Sequence, residues 1–343
     1  MFVYTSTFLA PFRHQGDPIA DQWVEAIVKE QGKQALRHYL QLFTQTGASL
    51  RQSQETALHQ FVGSMAILPA WADASKMRRA ERFFAAHWQD YMQLLGFYSL
   101  PYCYAAADGA QVLYLSERLR ENPLQRLMET AWFVWEVMQP NVFQQPQADG
   151  FWSVAKVRLT HAIARYFAGQ HPEWQTQWGI PINQEDMAGT NLSFSLIPIR
   201  GMRKLGKTFP LAETDAFLHL WNVIGALLGI APELLPADGK AAFQLEHAIA
   251  QRQFKSSEAG QQLTHSLVSC LQQQEIFARL PKTFVPAYMR TLLGDEVANL
   301  LGIAPEKLPL WAIQTYQTGL RVWSNWVGSR GQGKMPSVAM KPA

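Results

Sequence analysis

Residues 151–167 read FWSVAKVRLTHAIARYF. Taken as a helix, this stretch places Arg158, His161 and Arg165 at i, i+3 and i+7, on one stripe. The stripe begins with the apolar Val154, so it points inward rather than into water. An inward stripe carrying two arginines and a histidine has to satisfy those groups with something. A large anionic, metal-bearing ligand would do so, with the histidine on the metal and the arginines on carboxylates. Haem fits that description: its iron takes the imidazole and its propionates take Arg158 and Arg165. The competing reading is a histidine satisfied inside an ordinary helical core.

The rest of the composition bounds the answer. The chain has 343 residues, of which 48% are hydrophobic and 17% charged, enough apolar material for a large buried core and too much for disorder. Twelve tryptophans and nineteen phenylalanines suit a helical core around a flat aromatic cofactor, and suit a large core without one. The formal charge of +3 is mildly basic. The richest basic run, RGMRKLGK at 200–207, reads as a solvated loop, so nucleic acid is not an expected partner. Only Cys103 and Cys270 are present, with no CxxC, zinc pattern or CxxCH. A bound haem would therefore be non-covalent, of the b type, and the setting reducing. The N-terminus lacks a signal-peptide pattern. The longest apolar run, 216–230, is interrupted by His219, Asn222 and Gly225, so no transmembrane segment is expected and the chain reads as soluble and cytoplasmic.

Along the chain, residues 1–15 read as an irregular arm, 16–328 as one helical domain, and 329–343 as a flexible Gly/Ser/Lys/Pro tail. Asp17-Pro18 opens the first long helix. Others are expected at 33–44, where Gly47 marks the stop, then 52–65, 76–95, 109–119 and 124–138. The central helix carries His161, with Asp149, Gly150 or Ser153 as its cap. Asn183 followed by Asp186 opens a helix over 184–196, and Thr214 caps an apolar one over 215–228. Further helices fill 240–328. LLGIAPELLP at 227–236 is echoed by LLGIAPEKLP at 300–309: the same helix stop used twice, with no wider repeat. No alternating strand pattern recurs, and the fold class is all-α. Within 124–138, Arg126, Glu129 and Thr130 share one face. His219 reads as a core histidine, and Thr190 and Phe194 as pocket or packing residues.

Several chemistries lack their motifs. There is no G-x-S-x-G, no P-loop, no strand-flanked GxGxxG and no HExxH. Paired Glu-x-x-His motifs of a di-iron bundle are absent as well.

Five ordered blocks carry a resemblance: GDPIADQW (16–23), QRLMETAWFV (125–134), KVRLTHAIARYF (156–167), WGIPINQEDMAGTNLSFS (178–195) and FLHLWNVIGALLGI (217–230). Together they resemble the haem oxygenase family that contains latex-clearing protein (rubber oxygenase) and the MpaB-type oxygenases. The resemblance implies a single large helical domain with a globin-like core, extra helices and a b-type haem. It makes His161 the proximal iron ligand, with its second nitrogen fixed by a carbonyl or carboxylate. Arg158 and Arg165 flank it, and Arg126 and Thr130 hydrogen-bond dioxygen on the haem's open side.

The chain also departs from the family. Latex-clearing members carry a lysine just before that threonine, where this chain has Glu129, a group able to move protons. Their upstream glutamate is unmatched: residues 104–113 offer only Asp108, with Glu117 further on. These differences point away from polyisoprene and toward oxygen activation on a smaller apolar substrate, olefinic or isoprenoid. A haem sensor or carrier without turnover, and a haem-free lipid- or prenyl-binding protein, are the alternatives.

Overall fold

Asp17 starts the architecture. Its carboxylate caps helix α2 (Pro18–Gln31) by accepting the Ala20 N–H, and Pro18 sits where a missing N–H costs nothing. The structure, a computed structural model, describes residues 4–116, 123–278, 280–309 and 311–316. Ahead of α2 lies a short α1 (Ser6–Leu9) running into a 3₁₀ turn at Ala10–His14. After it come α3 (Lys33–Leu42), α4 (Gly47–Arg51), α5 (Thr56–Met65) and α6 (Ala74–Leu94). A π turn at Leu95–Ser99 joins α6 to α7 (Leu100–Tyr104) and α8 (Ala107–Leu115). The second half holds α9 (Pro123–Val137), α10 (Asp149–Ala168), α11 (Gln184–Lys204), α12 (Leu211–Leu227), α13 (Gly239–Gln253) and α14 (Glu258–Gln272). It closes with α15 (Glu275–Ala278), α16 (Phe284–Leu293) and α17 (Asp295–Leu300). No strand occurs among the described residues, and one isolated bridge joins Ala106 to Phe254, so the fold is all-α as expected.

The central helix is α10. It packs against α2, α4, α5, α8, α9 and α12. Phe151, Trp152, Val154, Ala155, Leu159, Ala162 and Ile163 are all buried, so the helix is apolar on more than one face. Elsewhere α6 and α12 run against each other.

Four expectations are corrected. The arm at 1–15 is not irregular where it is described. It is helical from Ser6 to His14, and Leu9 and Phe12 are buried in a second core with Leu192, Leu245 and Ile249. Gly47 opens α4 instead of ending α3, because the preceding Thr46 hydroxyl accepts the Ser49 N–H as an N-cap. No side chain caps α10, and the Ser153 hydroxyl turns instead to Glu136 and the Asp149 carbonyl. Finally, α11 runs through Pro198 to Lys204. A mid-helix proline strands the carbonyl four residues earlier. Here that carbonyl is Phe194, and the buried Tyr91 hydroxyl donates to it at 2.6 Å. Glu117, the end of the 109–119 helix and the tail lie outside the described residues.

The echoed stops have the expected form. Gly229 and Gly302 both have positive φ, and Ile230 and Ile303 each bond back to the carbonyl five residues earlier. A buried arginine serves each stop. Arg158 donates to the Leu227 carbonyl, and Arg290 donates to those of Ile303 and Ala304.

Candidate functional site

His161 lies in the wall of a cavity of about 850 Å³. Tyr104, Leu113, Phe133, Phe194, Trp221, Ile249 and Leu267 make much of that wall apolar. The Nδ1 atom of His161 is buried and has no hydrogen-bond partner. Burial pushes the imidazole down to about 4, helped by the positive charges of Arg165 and Arg126 and opposed by Asp17. At neutral pH the ring is therefore uncharged and keeps a lone pair for a ligand. The expected carbonyl or carboxylate on its second nitrogen is absent among the described residues.

Arg158 and Arg165 do not line the cavity. Arg158 is held by both oxygens of Asp17, at 2.5 Å from Nε and 2.8 Å from Nη2. Arg165 pairs with Asp21 and donates to the carbonyls of Pro181 and Ile182. Placing them at haem propionates is thus corrected. The inward stripe satisfies its cations with aspartates from α2 and its N-cap, which sequence spacing along α10 does not reveal. The cations that do reach the cavity are Arg37, Arg126 and Lys156. Lys156 pairs with Glu136 at 3.1 Å, and no described carboxylate pairs with Arg37.

Arg126, Glu129 and Thr130 line the same cavity as His161, as their shared face on α9 implied. Arg126 Nη1 donates to Glu129 at 3.0 Å, and Gln125 donates to its other oxygen at 3.0 Å. The Thr130 hydroxyl spends its hydrogen on the Arg126 carbonyl at 2.9 Å, leaving only lone pairs toward the cavity. Arg126 is therefore the donor of the trio.

Asp108, the one acid in the stretch compared with the family's upstream glutamate, lies off the cavity wall at 3.9 Å from Arg13. Asp186 is the acid that sequence reading missed, having registered only as a helix-start signal. It lines the cavity, pairs with Arg13 at 2.6 Å and accepts from Asn183. Burial pushes its carboxyl up to about 6, against the pull of Arg13 and with help from Glu185 and Asp108. Glu246 also lines the cavity, held by the Tyr102 hydroxyl and by Arg200. Thr190 and Phe194 line it too, Phe194 stacking on Trp221 at 5.4 Å. His219 lies elsewhere: its Nε2 accepts the Asp73 N–H at 2.9 Å and its ring meets Trp71 edge-on. It is a structural histidine.

Among the described residues, no group of three or more His, Cys, Asp or Glu side chains could hold a metal ion, and no helix is long and apolar enough to cross a membrane. Both cysteines are free.

The family described as "ER-bound oxygenase mpaB/B'/Rubber oxygenase, catalytic domain" matches residues 78–325. The chain belongs to that family. A rubber oxygenase from Streptomyces sp. (strain K30) is 26% identical over 293 residues, covering 84% of this chain and 71% of the relative. The structure of latex clearing protein in the closed state superposes with a TM-score of 0.74 at 23% identity, over 96% of this chain and 87% of that one. The latter likeness shows a shared helical architecture. The family match encloses Arg126, Glu129, Thr130 and His161, whereas Asp17 and Asp21 precede it.

Proposed function

We propose that the protein is a b-type haem-dependent oxygenase acting on an apolar, olefinic or isoprenoid substrate, with His161 as the iron ligand. The observation that carries this reading is a neutral imidazole in the wall of a roomy apolar cavity, within a chain of the oxygenase family. The residues present fit the group. Because Nδ1 is buried against protein, Nε2 is the nitrogen left for the metal. Arg37, which no described carboxylate pairs, is the cation in the cavity wall free to meet a haem carboxylate, in the role first expected of Arg158 and Arg165. Those two arginines instead position α10 through Asp17 and Asp21.

When bound, haem supplies the redox chemistry that activates dioxygen. The chain supplies the rest. The apolar part of the wall suits an apolar substrate. The remaining N–H groups of Arg126 are the donors on the α9 side, and Glu129 holds that guanidinium in place. Asp186, pushed up to about 6, can hold or release a proton at its carboxyl near neutral pH. We assign it the acid/base role alongside Glu129. The free cysteines are consistent with a cytoplasmic setting.

The test is a visible spectrum of the purified protein before and after hemin addition. A Soret band that disappears in His161→Ala and persists in His219→Ala is the expected result. A protein that stays colourless after reconstitution would overturn the assignment. Oxygen uptake with an unsaturated isoprenoid then separates an oxygenase from a haem sensor or carrier.

A further inference from the structure

Hydroxyl groups in the cavity wall differ in where their hydrogens go. Thr130, Thr160, Thr190 and Ser193 each donate to the backbone carbonyl four residues earlier, at 2.7 to 2.9 Å. Tyr102 donates to Glu246. A hydroxyl spent in this way turns only lone pairs toward a ligand. Tyr104 differs. It lines the same cavity and is buried, yet its hydroxyl hydrogen-bonds to no described residue. Nor is that oxygen sealed within protein, as the Nδ1 atom of His161 is, so it opens onto the cavity. Its hydrogen is available to whatever the cavity holds.

Its surroundings fit a fixed, neutral donor. Tyr104 ends α7, the short helix that follows the π turn at Leu95–Ser99. Its backbone is held close against α14, where a Cβ on Gly260 would lie 2.5 Å from the Tyr104 carbonyl oxygen. Arg126, on α9, is near enough for its charge to act on both the Tyr104 hydroxyl and the His161 ring. Burial pushes the phenol up, against the pull of Arg126, so it keeps its proton at neutral pH. The Tyr104 O–H, the remaining N–H groups of Arg126 and the imidazole of His161 thus meet in one chamber.

We propose that the Tyr104 hydroxyl is a second hydrogen-bond donor to dioxygen in this cavity, acting alongside Arg126 in the role that the family resemblance gives to Thr130. This rests on the haem reading of the cavity.

Two small probes of the hemin-loaded full-length protein decide it. Fluoride at ferric haem is a strong acceptor and is held by nearby donors, whereas carbon monoxide at ferrous haem is a poor acceptor and needs none. Both are titrated at one pH by the shift of the Soret band. Tyr104→Phe keeps the ring and breaks no hydrogen bond to a described residue, so its melting temperature should match that of the unaltered protein. It should weaken fluoride by about tenfold and leave carbon monoxide within about twofold. Thr130→Val should weaken fluoride far less, because that hydroxyl already donates to the Arg126 carbonyl. Unchanged fluoride affinity in Tyr104→Phe, or a loss confined to Thr130→Val, would overturn the inference and leave the haem reading standing. Fluoride and carbon monoxide weakened alike would also overturn it, as a general disturbance of the cavity. A Soret band lost in Tyr104→Phe but kept in His161→Ala would make the phenol the iron ligand and overturn the donor role and the His161 assignment together. Failure of the unaltered protein to take up hemin would remove the haem reading and this inference with it.

Discussion

Asp17 grips Arg158 across 141 residues of sequence, with both carboxylate oxygens on the guanidinium and both side chains buried. The pair locks α10, which carries His161, to the start of α2. Removing one partner leaves the other charged and buried, which costs about 3–5 kcal/mol, whereas replacing both with apolar groups is far less damaging. Asp17→Asn and Arg158→Met should each lower the urea midpoint strongly, and Asp17→Leu with Arg158→Met should recover much of the loss. The double variant should still take up hemin, because Arg158 does not line the cavity. Loss of hemin binding in a folded double variant would return Arg158 to the cofactor.

Gly229 sits against this pair. A Cβ there would lie 2.5 Å from Asp17 Oδ2 and 2.9 Å from Arg158 Nη2, on a backbone with φ of +86°. Gly302 occupies the matching stop with φ of +67°, but its nearest neighbour would be 3.5 Å away. Both alanine variants pay for the left-handed backbone, about 1–2 kcal/mol. Gly229→Ala should cost clearly more than Gly302→Ala in denaturant melts, because it also pushes the ion pair apart. Equal losses would show that the clash is relieved without cost.

His161 titrates far below an ordinary histidine, so its acid response has a definite sign. Between about pH 6.5 and 4 the unfolded chain binds a proton at this ring that the folded chain refuses, so stability falls as the pH drops through that window. The full loss is on the order of 3 kcal/mol. Asp186 acts oppositely, since its raised carboxyl holds a proton in the folded chain up to about pH 6 and favours the folded state at the acid end. Relative to the unaltered protein, His161→Gln should therefore gain stability from pH 6.5 down to 4, and Asp186→Asn should gain it as pH rises from 4 to 6. Parallel stability–pH curves for all three would contradict the two shifts. Hemin binding through a ring titrating near 4 should persist at pH 5.5.

Tyr91 answers the carbonyl that Pro198 leaves open in α11. Tyr91→Phe keeps the ring against Phe84 and Phe217 but orphans the Phe194 oxygen, at a cost of about 1–3 kcal/mol. In Tyr91→Phe with Pro198→Ala the helix can close its own bond, so the double variant should be more stable than Tyr91→Phe alone. Thermal melts of the two variants check this.

The Arg126–Glu129 pair is about one-third exposed on both sides. Glu129→Gln should change stability by less than about 1 kcal/mol, so a large fall in oxygen uptake with an unchanged melting temperature would place Glu129 in the chemistry. Uptake equal to that of the unaltered protein would leave acid/base work to Asp186.

Local sequence rules determined most of the long helices, the two GIAP stops and the shared face of Arg126, Glu129 and Thr130, because 3.6-residue periodicity, proline and glycine act over a few residues. The same periodicity turned His161 inward. Tertiary structure decided what each inward group meets. Arg158 and Arg165 looked like ligands for an external anion because Asp17 and Asp21 lie more than 140 residues away in sequence. Asp186 read as a helix start because its depth, which shifts its carboxyl, comes from burial beside Arg13 and α8. The helix expected over 184–196 runs on through Pro198 because Tyr91, on α6, supplies the missing donor. Charge satisfaction and desolvation are set by which elements pack together, and no short window of sequence carries that.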